Sequence, residues 1–263
     1  MADVTTGVSR GERGSIHIRG VTQRFKALLA LDAIDLEIAE GEFVSILGPS
    51  GCGKSTLMRA VAGLMLPTSG TVSIGAEEVR VPHPDVGMVF QKATLLPWRN
   101  VVDNITLQLE MRGLSSDPYR ARLDELLALT GLKGFEKALP HQLSGGMQQR
   151  VSLCRALIHD PGILFMDEPF GALDAMTRET MNLELQRVWM ESRKTVMFVT
   201  HSIPEAVFLS DRIVVMTPRP GRIATVIDVD LPRPRDFRIV AHPNYVAAME
   251  KIRACFDAAG ISD

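Results

Sequence analysis

Residues 48–56 read Gly48-Pro49-Ser50-Gly51-Cys52-Gly53-Lys54-Ser55-Thr56, a match to G-x-x-x-x-G-K-[ST]. They follow an apolar stretch, Glu42 to Leu47 (EFVSIL), and open a segment with Leu57, Val61 and Leu64 at helical spacing. That strand–loop–helix context is the one the pattern requires. Glycines let the backbone curl until successive N–H groups face one phosphate, and the following helix start adds positive potential. Lys54 then supplies a cation to the β- and γ-phosphates, and the Ser55 hydroxyl ligates Mg²⁺. A bare glycine turn is the simpler reading, but it explains neither the lysine nor the hydroxyl.

Outward from this loop, short apolar runs alternate with helical patterns. Val86 to Phe90, Ile163 to Met166, Thr195 to Val199 and Ile213 to Met216 are further strand candidates, several of them apolar on both faces. Such strands belong inside a mostly parallel sheet, and the alternation argues for a layered α/β domain. Asp117 and Pro118 read as N-cap and first residue of a helix that Gly131 closes. Met181, Leu185 and Val188 mark another helix, and Ser202 with Glu205 fits a capping box. The stretch from about 92 to 160 has helical patterns and no convincing strand, so it reads as an inserted helical subdomain. Residues 1–14 read as a mobile polar tail, residues 15–263 as one domain, and 218–263 as a short Pro- and Arg-rich C-terminal extension ending in a helix-like segment, Tyr245 to Ala258.

The run Ile163-Leu-Phe-Met-Asp167-Glu168 places two carboxylates at a strand's end, where ligands of α/β sheets bind. Asp167 there can hold Mg²⁺, with a helix cap as the plainer alternative. Glu168 suits a general base for an attacking water, a role that contributes roughly 10²–10⁴-fold in rate; a solvated strand-end charge is the alternative.

Composition excludes several classes. The chain has 263 residues, 46% hydrophobic and 23% charged, which is ordinary for a folded domain. Its longest charge-free stretch, Ala60 to Ala76, is broken by Pro67-Thr-Ser-Gly70, so no transmembrane span is expected. A net charge of −2 lacks the basic excess of a nucleic-acid binder. Cys52, Cys154 and Cys255 are too scattered for a metal site or a disulfide framework. Cys52 lies beside Lys54 and a helix start, which favour thiolate. Alkylation there is expected to inhibit and ATP to protect, unless Cys52 is only a small tolerated residue.

The class is narrowed by Leu143-Ser144-Gly145-Gly146-Met147-Gln148-Gln149-Arg150. Ser144 can cap a helix, and the two glycines leave N–H groups bare at its start, a second anion site. This run resembles the signature of the ABC ATPase family, and five other motifs of that family occur in order over residues 16–217. The resemblance implies a P-loop NTPase of the ABC type, with an N-terminal antiparallel β subdomain and the helical insert. It implies that Phe25 stacks on adenine, where Tyr is commoner in the family. It makes Gln91 a Mg²⁺ ligand and γ-phosphate sensor, Ala172-Leu173-Asp174 the D-loop, and His201 the switch histidine. A lone His after a strand is otherwise more often structural. The signature departs from the family at Met147, where Gln is usual; this lies beyond the phosphate donors. By resemblance two chains pair head to tail, with each ATP between Lys54 of one and Ser144 of the other.

A single cassette without spans resembles the separate ATPase subunit of an importer. The implied partners are integral membrane permease subunits and an extracytoplasmic solute-binding protein, and the implied place is peripheral, on the cytoplasmic face of the inner membrane. Leu95, Leu96 and Trp98 are candidates to line a groove for a membrane-subunit helix, or else ordinary packing. Leu-Leu-Pro-Trp98, Pro220-Gly-Arg222-Ile223 and Leu231-Pro-Arg233-Pro-Arg235 resemble the nitrate/sulfonate/taurine branch, though the Arg-rich tail also fits a lipid-facing or solvated segment. The alternative outputs are a mechanical process at a membrane without solute import, and a P-loop kinase.

Overall fold

The computed structural model describes residues 14–171 and 173–258. The mobile tail expected for 1–14 falls almost wholly outside the described residues, as does Ala172 of the D-loop stretch. Among the described residues ten strands run β1 (Ile16–Phe25), β2 (Leu28–Ile38), β3 (Phe43–Leu47), β4 (Ser69–Ile74), β5 (Glu77–Glu78), β6 (Val86–Val89), β7 (Ile163–Asp167), β8 (Thr195–Thr200), β9 (Arg212–Met216) and β10 (Ile223–Asp228). The α-helices among these residues are α1 (Lys54–Val61), α2 (Val101–Met111), α3 (Arg120–Leu129), α4 (Gly145–Leu157), α5 (Ala175–Ser192), α6 (Ile203–Leu209) and α7 (Pro243–Ala258).

The strands form two sheets. One is antiparallel, in the order β2-β1-β4-β5; the other is β10-β9-β3-β8-β7-β6, parallel except for β10 at its edge. Both faces of the parallel sheet are covered, so its strands divide their side chains by twos. Leu164 and Met166 of β7, with Val196 and Phe198 of β8, enter a core shared with α2, α4 and α5. Ile163, Phe165, Met197 and Val199 enter the opposite core, against α1 and the antiparallel sheet. A third cluster joins Leu47, Ile213 and Val215 to α6 and α7. Between β6 and β7 the chain is helical, carrying α2, α3 and α4. Among the described residues no helix is long and apolar enough to cross a membrane.

Some local expectations shift. Asp117–Tyr119 is a 3₁₀ turn preceding α3 rather than its cap, because no side chain there bonds the helix start. Gly131 does close α3: it has φ +65, and Leu132 N donates to Leu127 O at 2.8 Å. α1 stops at Val61, leaving Leu64 exposed and off the helix. Ser202 accepts from Glu205 N, but the Glu205 carboxylate takes the Thr200 hydroxyl at 2.7 Å, so only half of a capping box forms.

The Arg-rich tail is neither lipid-facing nor solvated at its two central arginines. Arg233 sits 4.2 Å above the Trp189 ring and pairs with Asp211 at 2.9 Å. Arg235, 2% exposed, donates to the carbonyls of Val207, Phe208, Ser210 and Leu231. Burial pulls its pKa down to about 10. Three of those carbonyls belong to the last turn of α6 and its C-cap, which α6 cannot satisfy itself.

Candidate functional site

Four parallel strands deliver residues to one edge of the sheet, the C-terminal one. β3 leads into Gly48, β6 is followed by Gln91, β7 ends on Asp167 with Glu168 next, and β8 is followed by His201. At this edge lies an open cleft of about 450 Å³, lined by Phe25, Leu28, Ala30, Ser50, Gly51, Gly53, Lys54, Ser55, Thr56, Gln91, Glu168 and Arg219.

The loop 48–53 wraps the start of α1. Gly53 stands before the helix at φ +110, with no side chain capping the first turn. A Cβ on Gly53 would meet Leu31 Cδ2 at 2.7 Å. The first N–H groups of α1 are therefore free for an anion. Lys54, 4% exposed, donates from Nζ to the carbonyls of Gly48 (2.7 Å) and Pro49 (3.0 Å). It is thus folded along the loop, in reach of whatever the loop holds. Phe25, 44% exposed, ends β1 at the hairpin to β2 and forms an apolar wall with Leu28 and Ala30.

Ser55 Oγ donates to Asp167 Oδ1 at 2.8 Å. Burial pushes the Asp167 carboxyl up, and the Ser55 bond opposes that shift. A hydroxyl and a carboxylate held together beside a phosphate loop are a hard-oxygen pair suited to Mg²⁺. No cluster of three or more His, Cys, Asp or Glu suited to a metal exists among the described residues, so a Mg²⁺ here would draw its further ligands from phosphate, water or a neutral side chain.

Glu168 Oε2 accepts from Gln91 Nε2 at 3.1 Å and lies 3.3 Å from His201 Nδ1. Three strand ends therefore converge on one carboxylate. The Glu168 backbone is left-handed, at φ +45, a conformation that costs a non-glycine residue about 1–2 kcal/mol. Its N–H is tied to Val199 O at 2.9 Å, which holds the turn. His201 is steadied from behind: Ser202 N donates to Thr200 Oγ1 at 3.0 Å, and Ser202 caps α6.

Cys52 departs from expectation. It is 1% exposed, and burial raises its pKa; the fields of Lys54 and Arg219 oppose that without prevailing. It is a packed thiol, not a reactive thiolate.

Leu143 to Met147 do not line the cleft. Ser144 caps α4 by accepting from Met147 N at 3.3 Å. Ser144 and Gly145 are exposed, and a Cβ on Gly145 would meet nothing within 4 Å. Gly146 lies against Leu173 and Thr177, beside Asp174, which caps α5 through Thr177 N at 3.0 Å. The chain thus carries a second open helix start, apart from the cleft. Leu28, Ala30 and Arg219 are cleft residues that sequence reasoning missed. The first two were signalled only by the alternation along β2, and Arg219 by a Pro-Arg-Pro-Gly-Arg tract.

An apolar groove of about 500 Å³ lies between the parallel sheet and α2, lined by Leu64, Met88, Phe90, Thr94, Leu107 and Arg155 among others. Leu95, Leu96 and Trp98 do not line it. Leu95 packs on the helical core and Trp98 is 73% exposed.

A strand, phosphate loop and helix, with a hydroxyl–carboxylate pair and a second carboxylate at the sheet edge, define a P-loop NTPase. A family model described as ABC transporter matches residues 31–171. An uncharacterised ABC transporter ATP-binding protein of Methanocaldococcus jannaschii is 53% identical over 79% of this chain and 78% of that protein. A taurine import ATP-binding protein of Rhizobium johnstonii is 47% identical over 86% of this chain and 88% of that protein. An ATP-binding cassette solved as a dimer in a post-hydrolysis state with ADP and Pi matches with a TM-score of 0.73 and 34% identity, covering 82% of this chain and 100% of that one. The chain belongs to the ABC transporter family, as an ATP-binding subunit with ATPase activity.

Proposed function

We propose that this chain hydrolyses ATP to energise uptake of a small solute bearing an anionic group, through separate membrane subunits, as a head-to-tail dimer. The carrying observation is the separation of its two phosphate-binding helix starts. The cleft around Lys54 lacks the Ser144 helix, whose bare N–H groups stay in solvent. A second copy can bring that helix over the ATP held at the first copy's cleft, and the reverse. Two states follow, closed when both copies grip the γ-phosphate and open after its loss.

In this reading Phe25 stacks on adenine, the backbone of Gly48–Gly53 cradles the phosphates, and Lys54 and Thr56 contact them. Ser55, Asp167 and Gln91 hold Mg²⁺, which would neutralise phosphate charge. Glu168 takes the proton of the attacking water, while His201 and Gln91 fix its carboxylate. Asp174 and Leu143 to Met147 belong to the surface that meets the second copy. In the same reading the groove beside α2 receives an apolar helix of a permease subunit at the cytoplasmic face of the membrane. The taurine-import relative supports a sulfonate-like solute, delivered to the permease by an extracytoplasmic binding protein.

Glu168→Gln should lower ATPase activity by at least about 10²-fold while ATP binding persists. Retained hydrolysis would remove Glu168 from the role of base. For the solute, the chain purified with its membrane partners should show ATPase stimulation by a sulfonate-loaded binding protein, and none by the unloaded protein.

A further inference from the structure

The segment after β9 is pressed onto the phosphate loop. Gly221 N donates to Ala30 O at 2.9 Å, Gly221 O accepts from Asp32 N at 3.0 Å, and Arg222 pairs with Asp32. A Cβ on Gly221 would sit 2.1 Å from the Cys52 carbonyl oxygen, so this approach requires glycine. From that anchored turn Arg219 reaches the loop itself: its Nε and Nη2 lie 3.2 Å and 2.9 Å from Gly51 O. The guanidinium forms part of the cleft wall, together with Phe25 and Lys54.

Its hydrogen-bond inventory is incomplete. A guanidinium has five N–H donors, and among the described residues only the Gly51 carbonyl receives any of them. Among the described residues no carboxylate pairs with Arg219, unlike Arg222, Arg212 and Arg233. Lys54 and Arg219 are the two cationic side chains lining the cleft. Lys54 is buried and committed to loop carbonyls; Arg219 is exposed and held in place with donors to spare.

We propose that Arg219 is a second cationic contact for the nucleotide's phosphate chain, delivered to the P-loop from the segment that follows β9. This rests on the reading that the cleft holds the nucleotide. It also explains the Pro-Arg-Pro-Gly-Arg tract, in which proline and glycine shape a turn that fits the loop and the first arginine faces the ligand. The contact adds to phosphate affinity without touching the water-activating carboxylate.

The test is equilibrium displacement of a fluorescent ATP analogue by ATP, ADP and AMP, on the full chain with Mg²⁺, at low and high salt. Arg219→Gln keeps a donor for Gly51 O but removes the charge, and Arg219→Lys keeps the charge. At low salt Arg219→Gln should weaken ATP about three- to tenfold, ADP less and AMP least, with the gap narrowing at high salt. Arg219→Lys should stay within about twofold of the parent. Unchanged affinities in Arg219→Gln, or equal losses for all three nucleotides, would overturn the proposal, the latter by pointing to the base or ribose. Lys54→Ala separates the two readings. If it leaves ATP binding intact, the cleft assignment fails; if it abolishes binding while Arg219→Gln is silent, only the role of Arg219 fails.

Discussion

Cys52 and Lys54 lie two residues apart where the phosphate loop meets α1, and both are buried. Lys54 Nζ is met by the carbonyls of Gly48 and Pro49; Cys52 faces the core with Leu57 and Val44, and burial pushes its thiol up. Neighbouring charge suggested a thiolate, and desolvation outweighs it. Iodoacetamide at neutral pH should therefore label Cys52 as slowly as buried Cys154, whose pKa is raised to about 12, and well behind the half-buried Cys255. Rapid, selective labelling of Cys52 would contradict this. His159 offers a pH test. Burial, with Arg112 nearby, lowers its pKa from 6.5 to about 4. The unfolded chain takes up the proton below about 6.5 while the folded one waits until about 4. Stability should thus fall as pH drops through that window. His159→Leu should flatten the fall between pH 7 and pH 5 in urea titrations; an unaltered slope would exclude the residue as its source.

Helix ends and strand ends carry the site, and their legibility in the sequence differed for physical reasons. β3, β7 and β8 were readable because both faces are buried, which writes continuous apolar runs. β1 and β2 are buried on one face, and β1 is broken by register shifts around Gly20, so their alternation is irregular. Their presence was implied only by resemblance, and Leu28 and Ala30 were lost with them. The tail misled for another reason: Arg233 and Arg235 look solvated in a sequence, and only the fold shows the carbonyls that α6 leaves open. Arg235→Met should destabilise the chain by about 2–4 kcal/mol, since several buried carbonyls lose their donor; a loss under about 0.5 kcal/mol in urea melts would refute that. Ser144→Ala removes the α4 cap and should lower the stability of the single chain by about 1 kcal/mol in urea melts.

At the scale of the molecule, the cleft and the open start of α4 lie apart. The cleft presents Lys54, Ser55 and Glu168, and the α4 start, with Gly145 exposed, opens to solvent. The central claim is that a second copy completes the site. It is tested most directly by the solution mass of the Glu168→Gln chain with and without ATP. The mass should rise from 28.9 kDa to twice that value when ATP is added, and Ser144→Arg in the same chain should abolish the rise. A mass indifferent to ATP, or a rise that survives Ser144→Arg, would contradict the account.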